Sequence, residues 1–265
     1  MSDSGHIHFD TILNRMEPIT LDEMDSIKLM NRIDTKYVTD ETTLAGVLED
    51  AICAGYRVLE ADGARISPYD SVYFDTNGLK MFFDHHNHRL TRQKVRTRTY
   101  LNTGLTFLEI KRKNNKGRTK KKRTAIPQGE FTSFYEDSEA CEYLEKHSAF
   151  TAGELSPAIE TLFRRITLVN PDKTERLTID TCLSFKNFRS GLETSMMDAV
   201  IIELKQDGRS YSPMKRILLD NRVKPFRVSK YCIATTITMP GIKTGRFKEK
   251  LRRIEKTINK KITAQ

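Results

Sequence analysis

Tryptophan is absent from this chain of 265 residues, and proline (8) and cysteine (4) are sparse. Cys53, Cys141, Cys182 and Cys232 lie far apart with no CxxC pair. That spacing argues against a disulfide scaffold or a thiolate zinc site and for reduced thiols in a cytosolic setting. No run of about 18 apolar residues occurs, so no membrane-spanning helix is expected. The start, MSDSGHIHFD, has no charged segment followed by an apolar run, so no secretory leader is expected. Gly-x-x-x-x-Gly-Lys-Ser/Thr is missing, which excludes a P-loop NTPase, and nothing resembles a G-x-S-x-G elbow. No low-complexity linker divides the chain. One domain is expected over 1–265, with N-terminal helices at 7–30, a core at about 31–240 and a C-terminal amphipathic helix at about 245–262.

What is abundant is positive charge. Lys and Arg number 45 against 35 Asp and Glu, for a net charge of +10. Such a balance implies an anionic partner: nucleic acid, phosphorylated metabolites, polyphosphate or an acidic membrane surface. A chain this long buries roughly 70–75% of its unfolded surface, so it can hold a real core.

Thr20 with Glu23 has capping-box spacing ahead of Leu21, Met24 and Ile27. NRIDTKYVTD alternates charge with apolar residues, which is strand spacing. Asp40 caps a helix to Ala54, closed by Gly55. SVYFDT (71–76), QKVRTRTYL (93–101), LTFLEIKRK (105–113) and RTKKKRTAI (118–126) read as strands joined by turns. Residues 128–150 read as helical. TLFRRITLVN, ERLTIDTCLSF and DAVIIELKQD read as further strands, followed by a helix at 212–220 and then PFRVSKYCIA.

Strand after strand carries charge at every second residue. Many basic strands side by side on an open face would repel. They make sense if the charged faces converge on a bound polyanion, as inside a closed antiparallel barrel. The basic stretch 108–126 then divides. Lys111, Lys121, Arg123 and Glu109 should point inward, Arg112, Lys120 and Lys122 outward, and Lys113 and Lys116 should flank the turn. Few aromatics lie in this stretch, which argues against a stacking platform for nucleic acid. DHHNH (84–88) is too cramped to hold one tetrahedral zinc. Arg92 falls one alternation step beyond Lys94 on the charged face.

DTKY (34–37), SVYFDTNGLKMF (71–82), KVRTRTY (94–100), FLEIKRK (107–113), KKKRT (120–124), RLTIDT (176–181), IIELK (201–205) and VSKY (228–231) occur in that order. Together they resemble the VTC domain, the polyphosphate polymerase branch of the triphosphate tunnel metalloenzymes (CYTH-like). The resemblance implies an α+β fold: a closed antiparallel eight-stranded β-barrel, or tunnel, with flanking helices. It implies phosphate binding by Lys36, Arg96, Arg98, Lys111, Lys121, Arg123, Arg165, Arg176, Ser229 and Lys230; strand alternation adds Arg92, and the repeated Glu-x-Lys spacing adds Lys205. Of these, Lys36, Arg96, Arg98 and Lys230 would be catalytic. A divalent metal, Mn²⁺ or Mg²⁺, would sit on Glu203, with Glu109 as a further ligand. The hydrolytic branch opens with E-x-E-x-K, whereas this chain has R-I-D-T-K, with Asp34 and no second acid. That departure favours the polymerase branch.

The expected function is polyphosphate synthesis from ATP. The alternatives are hydrolysis of tripolyphosphate or nucleoside triphosphates, and non-enzymatic sensing of polyphosphate or another phosphorylated ligand. Expected partners are ATP, triphosphate or polyphosphate, with no nucleic acid. A separate membrane protein and a place at the inner face of a membrane are compatible with this. The C-terminal helix is expected to pack on the barrel by its apolar stripe, with an acidic membrane as the alternative surface.

Overall fold

The computed structural model describes residues 9–27, 29, 32–208 and 210–265. Local signals near the start act as their chemistry requires. Pro18 divides the helical stretch expected at 7–30 into α1 (Asp10–Leu13) and α2 (Leu21–Ser26), with β1 (Pro18–Ile19) between them. The remainder of that stretch, residues 7, 8, 28 and 30, lies outside the described residues. Thr20 and Glu23 form the expected capping box. β2 (Ile33–Asp40) runs into α3 (Glu41–Cys53), where the Asp40 carboxylate accepts from the Thr43 amide at 2.7 Å. Gly55, at φ +72°, turns the chain out of that helix.

The next elements are β3 (Arg57–Leu59), β4 (Ser67–Asp75), α4 (Lys80–His86), β5 (Arg92–Tyr100), β6 (Thr106–Lys113) and β7 (Thr119–Ile126). Two 3₁₀ turns, Gln128–Glu130 and Phe134–Glu136, precede α5 (Ser138–His147) where a continuous helix was expected. Then come β8 (Ser156–Val169), β9 (Glu175–Asn187), β10 (Glu193–Met196), β11 (Ala199–Gln206), α6 (Pro213–Asp220), α7 (Lys230–Thr238) and α8 (Gly245–Thr257).

All eleven strands join one sheet, whose main path runs β2-β11-β9-β8-β4-β5-β6-β7, antiparallel at each step. Its outer face is apolar except toward the ends of β6 and β7, where Arg112, Lys120 and Lys122 are exposed. Leu177, Ile179, Val200, Ile202 and Leu204 pack under α1, α3 and α6. Val72, Phe74, Val95, Leu108 and Ile110 pack under α5.

The inner face changes character along its length. A bulge between β8 and β9 does this. Arg176, Thr178 and Asp180 share one side of β9. Cys182, at φ +51°, then shifts the alternation, so Leu183 and Phe185 point to that same side. There they meet Ile201, Phe163 and Tyr73, and α4, α7 and α8 pack over them through Phe82, Tyr231, Ile233, Phe247 and Ile254. One end of the inner face is thus filled with helices, and the rest is charged.

The expected closed barrel does not form. The main path has the eight expected strands, but β2 and β7 are its ends and are not hydrogen-bonded to each other. Two features oppose closure. Part of β2's free edge is already used, because the Phe226 amide donates to the Lys36 carbonyl at 2.6 Å. Pro225, bridged to Tyr37, cannot extend that ladder. β7 brings Lys120, Lys121, Lys122 and Arg123 to its own edge, and like charges oppose pairing. The sheet is nevertheless strongly curled. Lys111 on β6 and Glu203 on β11 act on each other's ionisation. In a flat sheet five strand spacings would hold them about 24 Å apart. The inner face is therefore a trough.

Candidate functional site: a cationic trough

Strand register brings the charged side chains into rows. Across β5, β6 and β7 one row is Arg96, Glu109, Arg123 and the next is Lys94, Lys111, Lys121. Arg92 lies opposite Lys113. Across β2, β11 and β9 the rows are Lys36, Glu203, Thr178 and Asp34, Lys205, Arg176. Arg165 on β8 lies opposite Asp180 on β9. Ser229 and Lys230 arrive separately, as the N-cap and first residue of α7.

Three carboxylates organise these cations. Glu109, 1% exposed, accepts from Arg96 Nε at 2.7 Å and Nη2 at 2.5 Å, and pairs with Lys121. Burial alone would raise its carboxyl, but Arg96, Arg98 and Lys121 hold it far below the ordinary range. Asp180 takes a two-pronged grip from Arg165, at 2.6 and 2.9 Å, and also pairs with Lys230. Burial again works against ionisation there, and Arg165 and Lys230 overcome it. Glu203 sits between Lys205 at 3.1 Å and Lys36 at 3.9 Å. Despite burial, Lys36, Lys205 and Lys111 keep it well below its ordinary value.

Among the described residues, Arg98, Lys94 and Lys111 have no carboxylate partner of their own, and Lys230 shares Asp180 with Arg165. Arg98 donates from Nε to Ser71 Oγ at 3.1 Å and lies over the rings of Tyr69 and Phe163. Burial and Arg96 pull it down to about 10. Lys94 donates to Ser229 Oγ at 2.8 Å. Burial lowers its ammonium. Lys111 is lowered well below its usual value, by Arg96 first and burial second. Lys230, 3.6 Å from the Phe163 ring centre, is brought down to about 8 by burial, with Asp180 resisting.

A buried cation without a counterion is costly. The arrangement is therefore complementary to a ligand that carries several negative charges along its length. The carboxylates also hold Arg96 and Arg165 in place beforehand, which lowers the ordering cost of binding.

Among the described residues no three His, Cys, Asp or Glu side chains gather as a metal cage. Glu203 offers one partly exposed carboxylate, suited to a Mg²⁺ or Mn²⁺ whose remaining ligands are phosphate oxygens and water. Glu109 is less suited, because Arg96 and Lys121 occupy its two oxygens. His85 and His86 lie in and under α4 against Phe82 and Phe247. Burial and then Lys94 and Arg92 press His85 down to about 2.

The sequence-predicted residues of β2, β5, β6, β7, β8, β9 and β11 share the trough face. Arg176 lies opposite Lys205 at the end of its row, and burial and then Arg32 lower its guanidinium. Arg123 is exposed and stacks on Phe107 at 4.8 Å. Lys113 ends β6 and flanks the Asn114–Gly117 turn as expected, and its register puts it on the trough face. Three residues were not assigned a part from sequence: Asp180, Tyr73 and Lys94. The alternation Arg176, Thr178, Asp180 carried the signal for the first. Tyr73, whose hydroxyl accepts from Arg96 Nη1 at 3.0 Å, is pulled down to about 8: burial opposes this, but Arg96, Lys94 and Lys230 prevail.

Comparison with curated proteins finds no match. Among solved structures, HpAC1 of Hippeastrum, for which a dominant triphosphatase activity is reported, is 14% identical with a TM-score of 0.44, covering 77% of this chain and 95% of its own. The PH1012 protein of Pyrococcus horikoshii is 11% identical with a TM-score of 0.40, covering 76% and 99%. The Mediator head module of Schizosaccharomyces pombe is 8% identical with a TM-score of 0.38, covering 72% and 88%. These likenesses are too loose to bear on the reaction. The VTC domain family model, by contrast, matches residues 31–239, from the start of β2 through the end of α7. By that match and by the charged rows it spans, this chain belongs to the VTC domain family.

Proposed function

We propose that the trough catalyses metal-dependent phosphoryl transfer, making polyphosphate from ATP. The observation that carries this reading is the surplus of trough cations without carboxylate partners, Lys94, Arg98 and Lys111 foremost. Arg98, whose two Nη groups are free among the described residues, would grip phosphate oxygens two at a time, Arg96 and Arg165 would contribute charge fixed by their carboxylates, and lysines would act as point charges. The terminal oxygen of a phosphate chain attacks the γ-phosphorus of ATP in line. A new P–O bond forms, the bond to the β–γ bridging oxygen breaks, and ADP leaves with that oxygen's charge. Lys36, Arg96, Arg98 and Lys230 steady the charge on the transferred group; positioning and electrostatics supply most of the catalysis. Glu203 would hold the divalent ion, which neutralises phosphate oxygens when bound. The family match is consistent with this substrate class. No described helix is long and apolar enough to cross a membrane. Any transfer of product across one is assigned to a separate membrane protein.

Incubation of the purified protein with ATP and Mn²⁺ or Mg²⁺ tests the reading, with long chains sought on a polyacrylamide gel and free phosphate assayed. Chains are expected. Free phosphate alone would identify a hydrolase. If neither appears but ATP or polyphosphate raises the melting temperature, the trough is a sensor.

A further inference from the structure

The phosphate-chain reading leaves one group of cations unused. It lies where β5 begins and β6 ends, beside α8. Arg92 and Lys113 stand directly opposite each other on the trough face, a like-charge pair that destabilises a sheet unless something bridges it. Arg92 donates from Nη1 to the Arg89 carbonyl at 2.8 Å. Among the described residues, the Lys113, Arg227 and Arg246 side chains make no hydrogen bond or ion pair. Lys250 rests on the Phe247 ring at 5.6 Å.

These side chains form one field. Arg92 and Arg227 both act on Lys113, Arg227 also acts on Lys250, and Arg246, Lys250 and Arg92 all act on His88, which follows α4 in the chain. His85 feels Lys94 and Lys36 of the trough together with Arg92 and Lys250 of the margin. The margin is therefore continuous with the trough. Nearby acids do not neutralise it. Asp84 is held by Lys80 at 2.9 Å, and Glu255 by Lys261 at 2.9 Å and the Ile262 amide at 3.2 Å. Glu249 is exposed on α8 among Arg246, Lys248, Arg252 and Arg253.

α8 has no spare apolar face. Phe247 and Ile254 are buried, and Leu251 and Ile258 pack against the same cluster. Arg253 fixes the helix to the preceding segment by lying over Phe226 at 4.9 Å. The helix thus cannot lay an apolar stripe into a lipid surface, the usual device of membrane-lying helices. What it offers is a fixed cationic surface joined to a phosphate-binding trough.

We propose that the margin formed by Lys113, Arg227, Arg246 and Lys250 is an outer anion track that holds the part of a long polyphosphate chain lying beyond the reaction site. The track gives the protein a preference for long chains over tripolyphosphate. The inference rests on the phosphate-chain reading of the trough, and the test separates the two.

The full chain and its Arg227→Glu/Arg246→Glu/Lys250→Glu variant are titrated with tripolyphosphate and with long-chain polyphosphate across a salt series. The wild type is expected to bind the long chain more tightly. The variant should lose about tenfold or more for the long chain, with a log–log salt slope shallower by about 2, three cations at about 0.7 each. Its tripolyphosphate affinity should stay within about twofold, since only distant, screened charges change. Equal losses for both ligands, no loss for either, or no length preference in the wild type would each overturn the track. Failure of the wild type to bind tripolyphosphate would instead overturn the trough reading. Single-stranded oligonucleotide and vesicles containing phosphatidylserine serve as further arms; a variant that loses only one of these, with long-chain binding intact, overturns the assignment. If the triple variant melts early, Arg227→Ala/Arg246→Ala is used in its place; with two cations removed the salt slope should fall by about 1.4, and the same selective loss for the long chain is required.

Discussion

Asp180 carries two cations on one carboxylate, and its loss would strand both. Breaking a buried pair from one side leaves an uncompensated charge. Asp180→Asn is expected to cost about 3 kcal/mol, or roughly 6–12 °C in melting temperature, read by calorimetry. Because the folded carboxyl lies below its unfolded value, this stabilisation is fully present above about pH 4 and fades as pH falls through the folded value. Wild type and variant should therefore converge in acid. On the proposed function, Glu203→Gln is expected to reduce chain synthesis by roughly 100-fold or more, measured with ATP and Mn²⁺, and to lower the melting temperature less than Asp180→Asn does, because its carboxylate is 27% exposed against 7% for Asp180; unchanged turnover would remove Glu203 as the metal anchor. The two faces of the 108–126 stretch provide a paired test. Lys111→Ala, like Arg98→Ala on β5, should weaken tripolyphosphate binding by about tenfold, as loss of a charged contact does. Lys120→Ala with Lys122→Ala, both exposed on the other face, should leave it within about twofold.

At the level of elements, β7 and the β8–β9 pair mark the extremes. β7 pairs on one side only and is largely exposed, whereas β8 and β9 lie in mid-sheet. Hydrogen exchange should show β7 amides opening far sooner than those of Ile166 or Ile179; equal protection would mean that β7's edge is covered in solution. Most strands were legible, because period-two charge over 93–101, 105–113 and 118–126 admits little else. The trough residues followed, since alternation alone assigns Arg96, Arg98, Glu109 and Lys111 to one face. The bulge at Cys182 was not legible: one residue in the left-handed region leaves no mark in TIDTCLSF, yet it decides where charge gives way to apolar packing. α4 was hidden as well. Its start depends on the Asp75 carboxylate, which accepts from the Met81 and Phe82 amides at 2.9 Å and also binds the Tyr231 hydroxyl, a contact between residues distant in the chain. Closure was misread because it depends on what meets the outer edges of β2 and β7, and each strand's own sequence is silent about its neighbour.

For the molecule as a whole, the trough's charge depends on lysines that lose protons earlier than usual. Lys230 is brought to about 8, and Lys94 is lowered too. An ammonium attracts phosphate only while protonated. Affinity for tripolyphosphate should therefore fall as pH rises through about 8, and Lys230→Arg should flatten that decline, both read by isothermal titration. A flat wild-type profile would mean that the trough is wetter than its burial implies. The absence of hydrogen bonds between β2 and β7 has a separate consequence for how a polymer gets in and out. A ring admits a string only by its end, so loading a ring slows as strings lengthen or their ends are blocked. Two strands that share no ladder can part without breaking one, and a string can then be laid in from the side. Chains capped at both termini should on that account associate as fast as uncapped ones, while remaining impossible to lengthen.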